Sequence, residues 1–235
     1  MKRIYLFKIL FYIQLGLLLI VILFSDESYL VFQKILALIT ITVIYVIGNH
    51  YNKNYLYLCS MLVMMVNDSL ILTDFSSYFP VIASLGTIYF SLNILLIKRF
   101  LEEKDILFSK LYSFPIIVGV LLMGYLIYSI TDLVLPYIEE SILFLGLFVI
   151  SLLIFIILCF MIYLADRFTG NLMLFIAASC CLMVNALLPI NYFVFQTKVF
   201  VLLIHILELL GFYFFTLFLI ESKEKKDLNP QDLFI

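Results

Sequence analysis

Charge is scarce in this chain: only 13% of its 235 residues are Asp, Glu, Lys or Arg, whereas 66% are hydrophobic. Its mean hydropathy is +1.21. A soluble protein needs enough polar residues to cover its core, and this chain has too few of them. The composition therefore excludes an ordinary soluble domain and indicates an integral membrane protein. The formal net charge of −2 gives no indication of a nucleic-acid partner.

Motifs for metals and cofactors are also missing. The four cysteines lie inside apolar runs without the spacing of metal ligands, so they indicate neither a zinc site nor a disulfide framework. The sequence contains no Gly-rich phosphate loop, no nucleophile elbow and no haem-type cysteine pair. We therefore expect no bound metal and no cofactor.

Eight apolar runs make up most of the chain, and each is close to the roughly 20 residues that cross a bilayer. They extend from Ile4 to Phe24, Tyr29 to Ile47, Tyr55 to Leu72, Tyr78 to Ile97, Tyr112 to Ile130, Ile142 to Leu164, Asn171 to Ile190 and Val199 to Ile220. The predicted fold is all-α, with a single transmembrane helical domain over residues 1–220 and a short cytoplasmic tail at 221–235. The expected location is a bacterial cytoplasmic (inner) membrane.

The basic residues predict the orientation of this bundle, because Lys and Arg accumulate on the cytoplasmic side of membrane proteins. With eight helices and both ends cytoplasmic, only Lys34 and Lys198 lie near the external side. The inside segments then carry Lys2, Arg3, Lys8, Lys53, Lys98, Arg99, Lys104, Lys110, Arg167, Lys223, Lys225 and Lys226. Adding or removing one helix would move a group of these residues to the wrong side.

Asp68 stands out because it lies in the apolar stretch MVNDSLIL, about one turn before the external end of the third run. An ionised carboxylate at that depth is costly without partners or water. We expect Asp68 to face the bundle interior, where it can keep its proton near neutral pH and donate it. The alternative is that Asp68 reaches the interface or caps the following turn, while Asn67 and Ser69 make ordinary interhelical hydrogen bonds.

Four further polar residues are predicted at membrane depth: Asn93, Asn185, His205 and Glu208. His205 and Glu208 are three residues apart and share one helix face. Together with Asp68 they could bind a metal ion, but the sequence lacks the second His-x-x-Glu pair of a dimetal bundle. A hydrogen-bonded pair in the interior is the interpretation that we prefer.

Three motifs, in this order along the chain, resemble those of the YhhN-like lysoplasmalogenase family of eight-helix membrane hydrolases. The stretch VNDSLIL is similar to the Gly-Asp motif of helix three, with Asp68 kept and Asn67 in place of Gly. The stretch YFSLNILL lies where the family has Phe-x-x-Ala-His-x-x-Tyr, and VNALLPINYF fits the helix-seven motif Ser-Asp-x-Leu-Leu-Ala-x-Asn-x-Phe. In the second motif, Tyr89 replaces Phe, Asn93 replaces His and Leu96 replaces Tyr. In the third motif, Asn185 replaces the second Asp, and the matching residues are Leu187, Leu188, Asn191 and Phe193.

The resemblance implies hydrolysis of the vinyl-ether bond of a lysoplasmalogen, a membrane lysophospholipid, to a fatty aldehyde and a glycerophospho-headgroup. Asp68 is then expected to be the acid. Asn185 could orient water but could not accept its proton, so Glu208 is the expected substitute. Residues expected to contact the substrate are Asn67, Tyr89, Asn93 and His205.

Two other functions remain open at the level of the sequence. One is a catalytically silent relative that binds lipid without hydrolysing it. The other is a small transporter or sensor in which Asp68, His205 and Glu208 form a proton-linked site.

Overall fold

The computed structural model describes residues 2–24, 27–49, 54–101, 114–137 and 141–223. Within these ranges it contains eight long helices and two single-turn 3₁₀ helices, which confirms the predicted all-α fold. The long helices are α1 (Lys2–Phe24), α2 (Glu27–Gly48), α3 (Tyr55–Asp74), α4 (Phe79–Ile97), α5 (Phe114–Val134), α6 (Ile142–Ala165), α7 (Asn171–Phe193) and α8 (Lys198–Glu221). The 3₁₀ helices are Lys98–Phe100 and Leu135–Tyr137.

Seven of the long helices are long and apolar enough to cross a membrane, and α5 adds a further 21-residue helix of similar composition. Large apolar side chains remain exposed on their outward faces: Phe24 is 82% exposed, Phe32 is 74% and Leu143 is 69%. Water would disfavour so much apolar surface, whereas lipid chains would cover it without cost. The chain is therefore an integral membrane protein.

Local sequence accounts for where several helices begin. The Asn54 side chain accepts a hydrogen bond from the Leu56 backbone N–H at the start of α3, and Thr197 does the same for Phe200 at the start of α8. These side chains satisfy backbone donors that have no partner within the helix. Pro80 lies in the first turn of α4, where its missing N–H costs nothing.

The first and last helices meet at one end of the bundle. Lys8 Nζ lies 3.2 Å from Glu221 Oε1, which joins the beginning of α1 to the end of α8. At the same end, the Thr169 hydroxyl donates to the carbonyl of Glu221 at 2.8 Å. The beginning of α1 and the end of α8 therefore lie on the same side of the bundle, as the eight-helix prediction requires.

Part of the prediction falls on residues that the structure does not describe. Tyr112, where the fifth run was expected to begin, lies outside the described residues, as does the tail beyond Lys223. Five of the basic residues used for the orientation also lie outside the described residues: Lys53, Lys104, Lys110, Lys225 and Lys226.

Candidate functional site

A lysine at the centre of the bundle joins two carboxyl groups from other helices. Lys34 Nζ of α2 lies 2.6 Å from Glu208 Oε2 of α8 and 3.1 Å from Asp68 Oδ1 of α3. The Lys34 and Asp68 side chains are each 1% exposed, and that of Glu208 is 5% exposed. At this burial each charge needs an opposite partner, since water cannot stabilise it.

The position of Lys34 corrects the sequence analysis, which counted it only as a basic residue near the external side. Lys34 is seven residues into α2, so it lies roughly 10 Å from the beginning of that helix at 1.5 Å per residue. A lysine at that depth should be paired or water-exposed, and this was the signal that could have identified it. The sequence does not show which carboxyl groups pair with it, because they come from α3 and α8.

His205 completes the ionic cluster, which we define as Lys34, Asp68, His205 and Glu208. His205 Nδ1 lies 3.6 Å from Glu208 Oε2, one turn away on α8, and the His205 side chain is 4% exposed. Two carboxyl groups share one ammonium group, so the cluster would have a net charge of −1 with both of them ionised and His205 neutral. One proton, on His205 or on a carboxyl group, would make the cluster neutral.

Beside the ionic cluster lies a cavity that brings together four of the residues selected from the sequence. Its polar wall consists of Asn67, Tyr89, Asn185 and Glu208, from α3, α4, α7 and α8. We call this space the polar cavity. The volume of this cavity that the centre of a water molecule can reach is about 80 Å³, which leaves room for several waters or for part of a lipid chain. The rest of the wall is apolar and largely aromatic.

Two amides of the wall, those of Asn67 and Asn185, have oxygens that can accept hydrogen bonds. Asn67 is 4% exposed, and its Oδ1 has no hydrogen-bond donor among the described residues. Asn185 donates from Nδ2 to the carbonyl of Cys181 at 2.8 Å. Pro189, four residues later in α7, has no N–H to bond to the Asn185 backbone carbonyl. The wall near Asn185 is therefore rich in acceptors.

The other selected residues do not line the polar cavity. Asp68 shares the Lys34 ammonium group with Glu208, and His205 is the neighbour of Glu208 within the cluster. Asn93 is fully buried between α3 and α4, where its Nδ2 donates to the Tyr89 carbonyl at 2.9 Å. Its Oδ1 accepts from the Ser60 hydroxyl at 3.5 Å. The first contact lies within α4 and the second joins α4 to α3, and Asn93 is not among the residues that line this cavity.

The ionic cluster lies in one half of the membrane. Asp68 is six residues before the end of α3, and Glu208 is ten residues after the beginning of α8. At 1.5 Å per residue these positions are roughly 9 Å and 15 Å from the ends that the basic residues predict to be external. A ligand of the polar cavity would accordingly be reached most directly from the external leaflet.

The fold and the site together define an integral helical membrane protein with a buried ionic cluster beside a cavity. No group of three His, Cys, Asp or Glu side chains suited to a metal ion occurs in the part of the chain that the structure describes. Comparisons with family models, with curated proteins and with solved structures found no match.

Proposed function

We propose that the protein binds a single-chain membrane lipid in the polar cavity and hydrolyses its vinyl-ether bond, as the resemblance to lysoplasmalogenases suggests. The observation that carries this proposal is the position of the Glu208 carboxyl group. It lies on the cavity wall, and Lys34 Nζ connects it to a second carboxyl group, that of Asp68.

The reaction needs a proton donor and an activated water molecule in a dry place. A vinyl ether opens when a proton adds to its outer carbon, which leaves a positive charge shared by the inner carbon and the ether oxygen. Water then adds to the inner carbon and loses a proton, and the resulting hemiacetal separates into an aldehyde and an alcohol. The carboxyl pair of Asp68 and Glu208 holds the proton, and Glu208, which lines the cavity, passes it to the substrate and recovers one from the water, so the protons balance over one turnover.

The rest of the cluster supports this role of Glu208. The Lys34 ammonium group stabilises the carboxylate that remains after Glu208 has given up its proton, and Asp68 keeps the charge of Lys34 balanced during the cycle. Asn67 and Asn185 supply acceptor oxygens that can hold the attacking water against the substrate. Aromatic side chains of the wall pack against the lipid and exclude other water.

Aldehyde release from a lysoplasmalogen by the purified full-length protein tests the proposal. We expect the wild type to release aldehyde and Glu208→Gln to release none, because an amide cannot donate the proton. Asn185→Asp is expected to increase the rate, by up to the roughly 100-fold to 10,000-fold that a positioned base contributes. Ser179→Ala, on the exposed face of α7, is the control and should leave the rate unchanged. No aldehyde from a folded wild type would reject hydrolysis.

Proton-linked transport is a second candidate, because the ionic cluster joins α2, α3 and α8 and contains two carboxyl groups for one ammonium group. A change of protonation would alter the attraction between these helices, which is how buried ionisable groups couple protons to movement. Vesicles that contain the protein should then acidify or alkalise on addition of a transported solute. Equal pH traces with the wild type and with Glu208→Gln would reject this candidate.

A further inference from the structure

A second cavity lies next to the polar cavity. Its walls come from α4, α5, α6 and α7 and from Phe75 in the turn after α3, and almost every lining residue is apolar. Representative positions are Ala83 of α4, Ile130 of α5 and Ala186 of α7. We call it the apolar cavity. The volume that the centre of a water molecule can reach in it is about 80 Å³, which equals that of the polar cavity.

The two cavities are neighbours and share four wall residues: Ile82, Phe148, Asn185 and Leu188. The Phe148 ring is the largest of these side chains, so it forms much of the partition. It packs directly on Gly86, where an added Cβ would lie only 2.7 Å from Phe148 Cδ2. A turn of this ring would connect the two spaces.

Helix α5 is the outer wall of the apolar cavity. Its one extensive contact with another long helix, within the described ranges, is with α7. On its other sides, the apolar cavity separates α5 from α4 and α6. A helix that packs on one neighbour only can move away from the bundle more easily than a helix packed on several. The apolar cavity therefore lies beside the long helix that has the fewest contacts with the rest of the described bundle.

We propose that the apolar cavity is the passage by which the alkyl chain of a single-chain lipid reaches Glu208 from the bilayer. Only a chain suits these walls, because a phosphate or an ammonium headgroup would lose its water there without gaining partners. The polar groups needed near the linkage of the lipid lie in the polar cavity, which adjoins this passage at Phe148. The identity of the lipid rests on the proposed function, but the passage itself does not require hydrolysis.

A lysophosphatidylcholine with a photoreactive diazirine at the end of its chain tests the passage. The probe is added to the full-length protein in phosphatidylcholine vesicles, and labelled residues are identified by mass spectrometry after illumination. We expect labels on the walls of the apolar cavity, at Ile130, Thr131 and Ala186. Labels confined to outward-facing residues such as Met183, which is 52% exposed, would overturn the proposal.

Filling the passage provides the second measurement. Ala186 is 7% exposed and lines the apolar cavity alone, so Ala186→Phe places a ring inside it. We expect this variant to lose most of the label on the walls of the apolar cavity. Ser179→Phe adds the same ring to the exposed face of the same helix and should keep the wild-type label pattern. Unchanged labelling in a folded Ala186→Phe protein would overturn the proposal.

The two proposals fail in different ways. Labelled cavity walls without any aldehyde from a lysoplasmalogen would reject hydrolysis and keep the passage. Aldehyde release with labels only on the lipid-facing surface would keep hydrolysis and reject the passage. If Ala186→Phe does not fold, the label positions in the wild type decide the question alone.

Discussion

Lys34 shows at the scale of a single residue how a membrane bundle can contain charge. Its ammonium group contacts carboxyl groups of α3 and α8, so three helices share one set of ion pairs. Removal of the ammonium group would leave two carboxyl groups beside each other in an apolar interior. Loss of one partner from a buried ion pair typically costs about 3–5 kcal/mol.

We expect Lys34→Met to lower the free energy of unfolding by about 3 kcal/mol or more for this reason. Glu208→Gln in the same chain removes one of the two carboxyl groups that Lys34→Met leaves without an ammonium partner. The double variant should therefore be more stable than the sum of the two single effects predicts, by roughly 1–3 kcal/mol. Denaturant titration of the purified protein in detergent, with helicity followed by circular dichroism, measures all three variants.

Lys198→Met is the matched control for Lys34→Met, because Lys198 is exposed at the beginning of α8. An exposed charge contributes little, so this variant should unfold as the wild type does. Simple additivity of Lys34→Met and Glu208→Gln would contradict the ion pairs described above.

At the residue scale, depth in the membrane was the informative part of the sequence. It selected Asn185 and Glu208, and the family resemblance selected Asn67 and Tyr89; the four residues come from four helices and lie on one cavity wall. The same reasoning failed for Lys34, because charges were assigned to the two sides of the membrane by their position along the chain. The partner of a buried charge depends on which helix faces it, and a single sequence does not contain that information.

At the scale of the helices, the contact between α4 and α6 depends on one missing side chain. Gly86 of α4 allows the Phe148 ring of α6 to approach the α4 backbone. Any Cβ at position 86 would overlap Phe148 Cε2 and force the ring to move. Because Phe148 also borders both cavities, this contact links helix packing to the shape of the site.

Gly86→Ala is expected to lower the free energy of unfolding by about 1–3 kcal/mol, the usual cost of overpacking a well-filled interior. Phe148→Ala in the same chain should recover part of this loss, since the colliding ring is then absent. Thermal unfolding in detergent measures the single and double variants. Gly16→Ala is the control: nothing lies within 4 Å of a Cβ built there, so it should be neutral or slightly stabilising. Equal destabilisation by the two alanines would contradict the role of Phe148.

The helices themselves were largely predictable, and the small errors have a physical cause. The start of α6 at Ile142 and that of α7 at Asn171 agree with the sequence analysis. The observed α3 and α7 continue to Asp74 and Phe193, beyond the expected ends at Leu72 and Ile190. A hydropathy run ends where side chains become polar, whereas a helix continues until its backbone hydrogen bonds end. The cavities were not predictable, because they depend on how far α5 stands from α4 and α6.

For the whole molecule, the eight-helix arrangement makes a prediction about the two sides of the membrane. The contact between Lys8 and Glu221 places the start of α1 and the end of α8 on one side. The surplus of Lys and Arg assigns this side to the cytoplasm. The segment between α5 and α6 must then be external, since an odd number of crossings separates it from either end.

Reporter fusions test this arrangement directly. Fusions after Lys104 and after Lys223 should give a cytoplasmic signal, and a fusion after Glu139 should give an external one. The physical reason is the positive-inside bias: each of the first two points adjoins basic residues, whereas Glu139 lies in an acidic segment with Asp132 and Glu140. A fusion after Asp74, in the turn between α3 and α4, is the control and should agree with Glu139. A cytoplasmic signal at Glu139 together with an external one at Asp74 would mean that α5 does not cross the membrane. It would also remove α5 as the wall of a passage from the external leaflet.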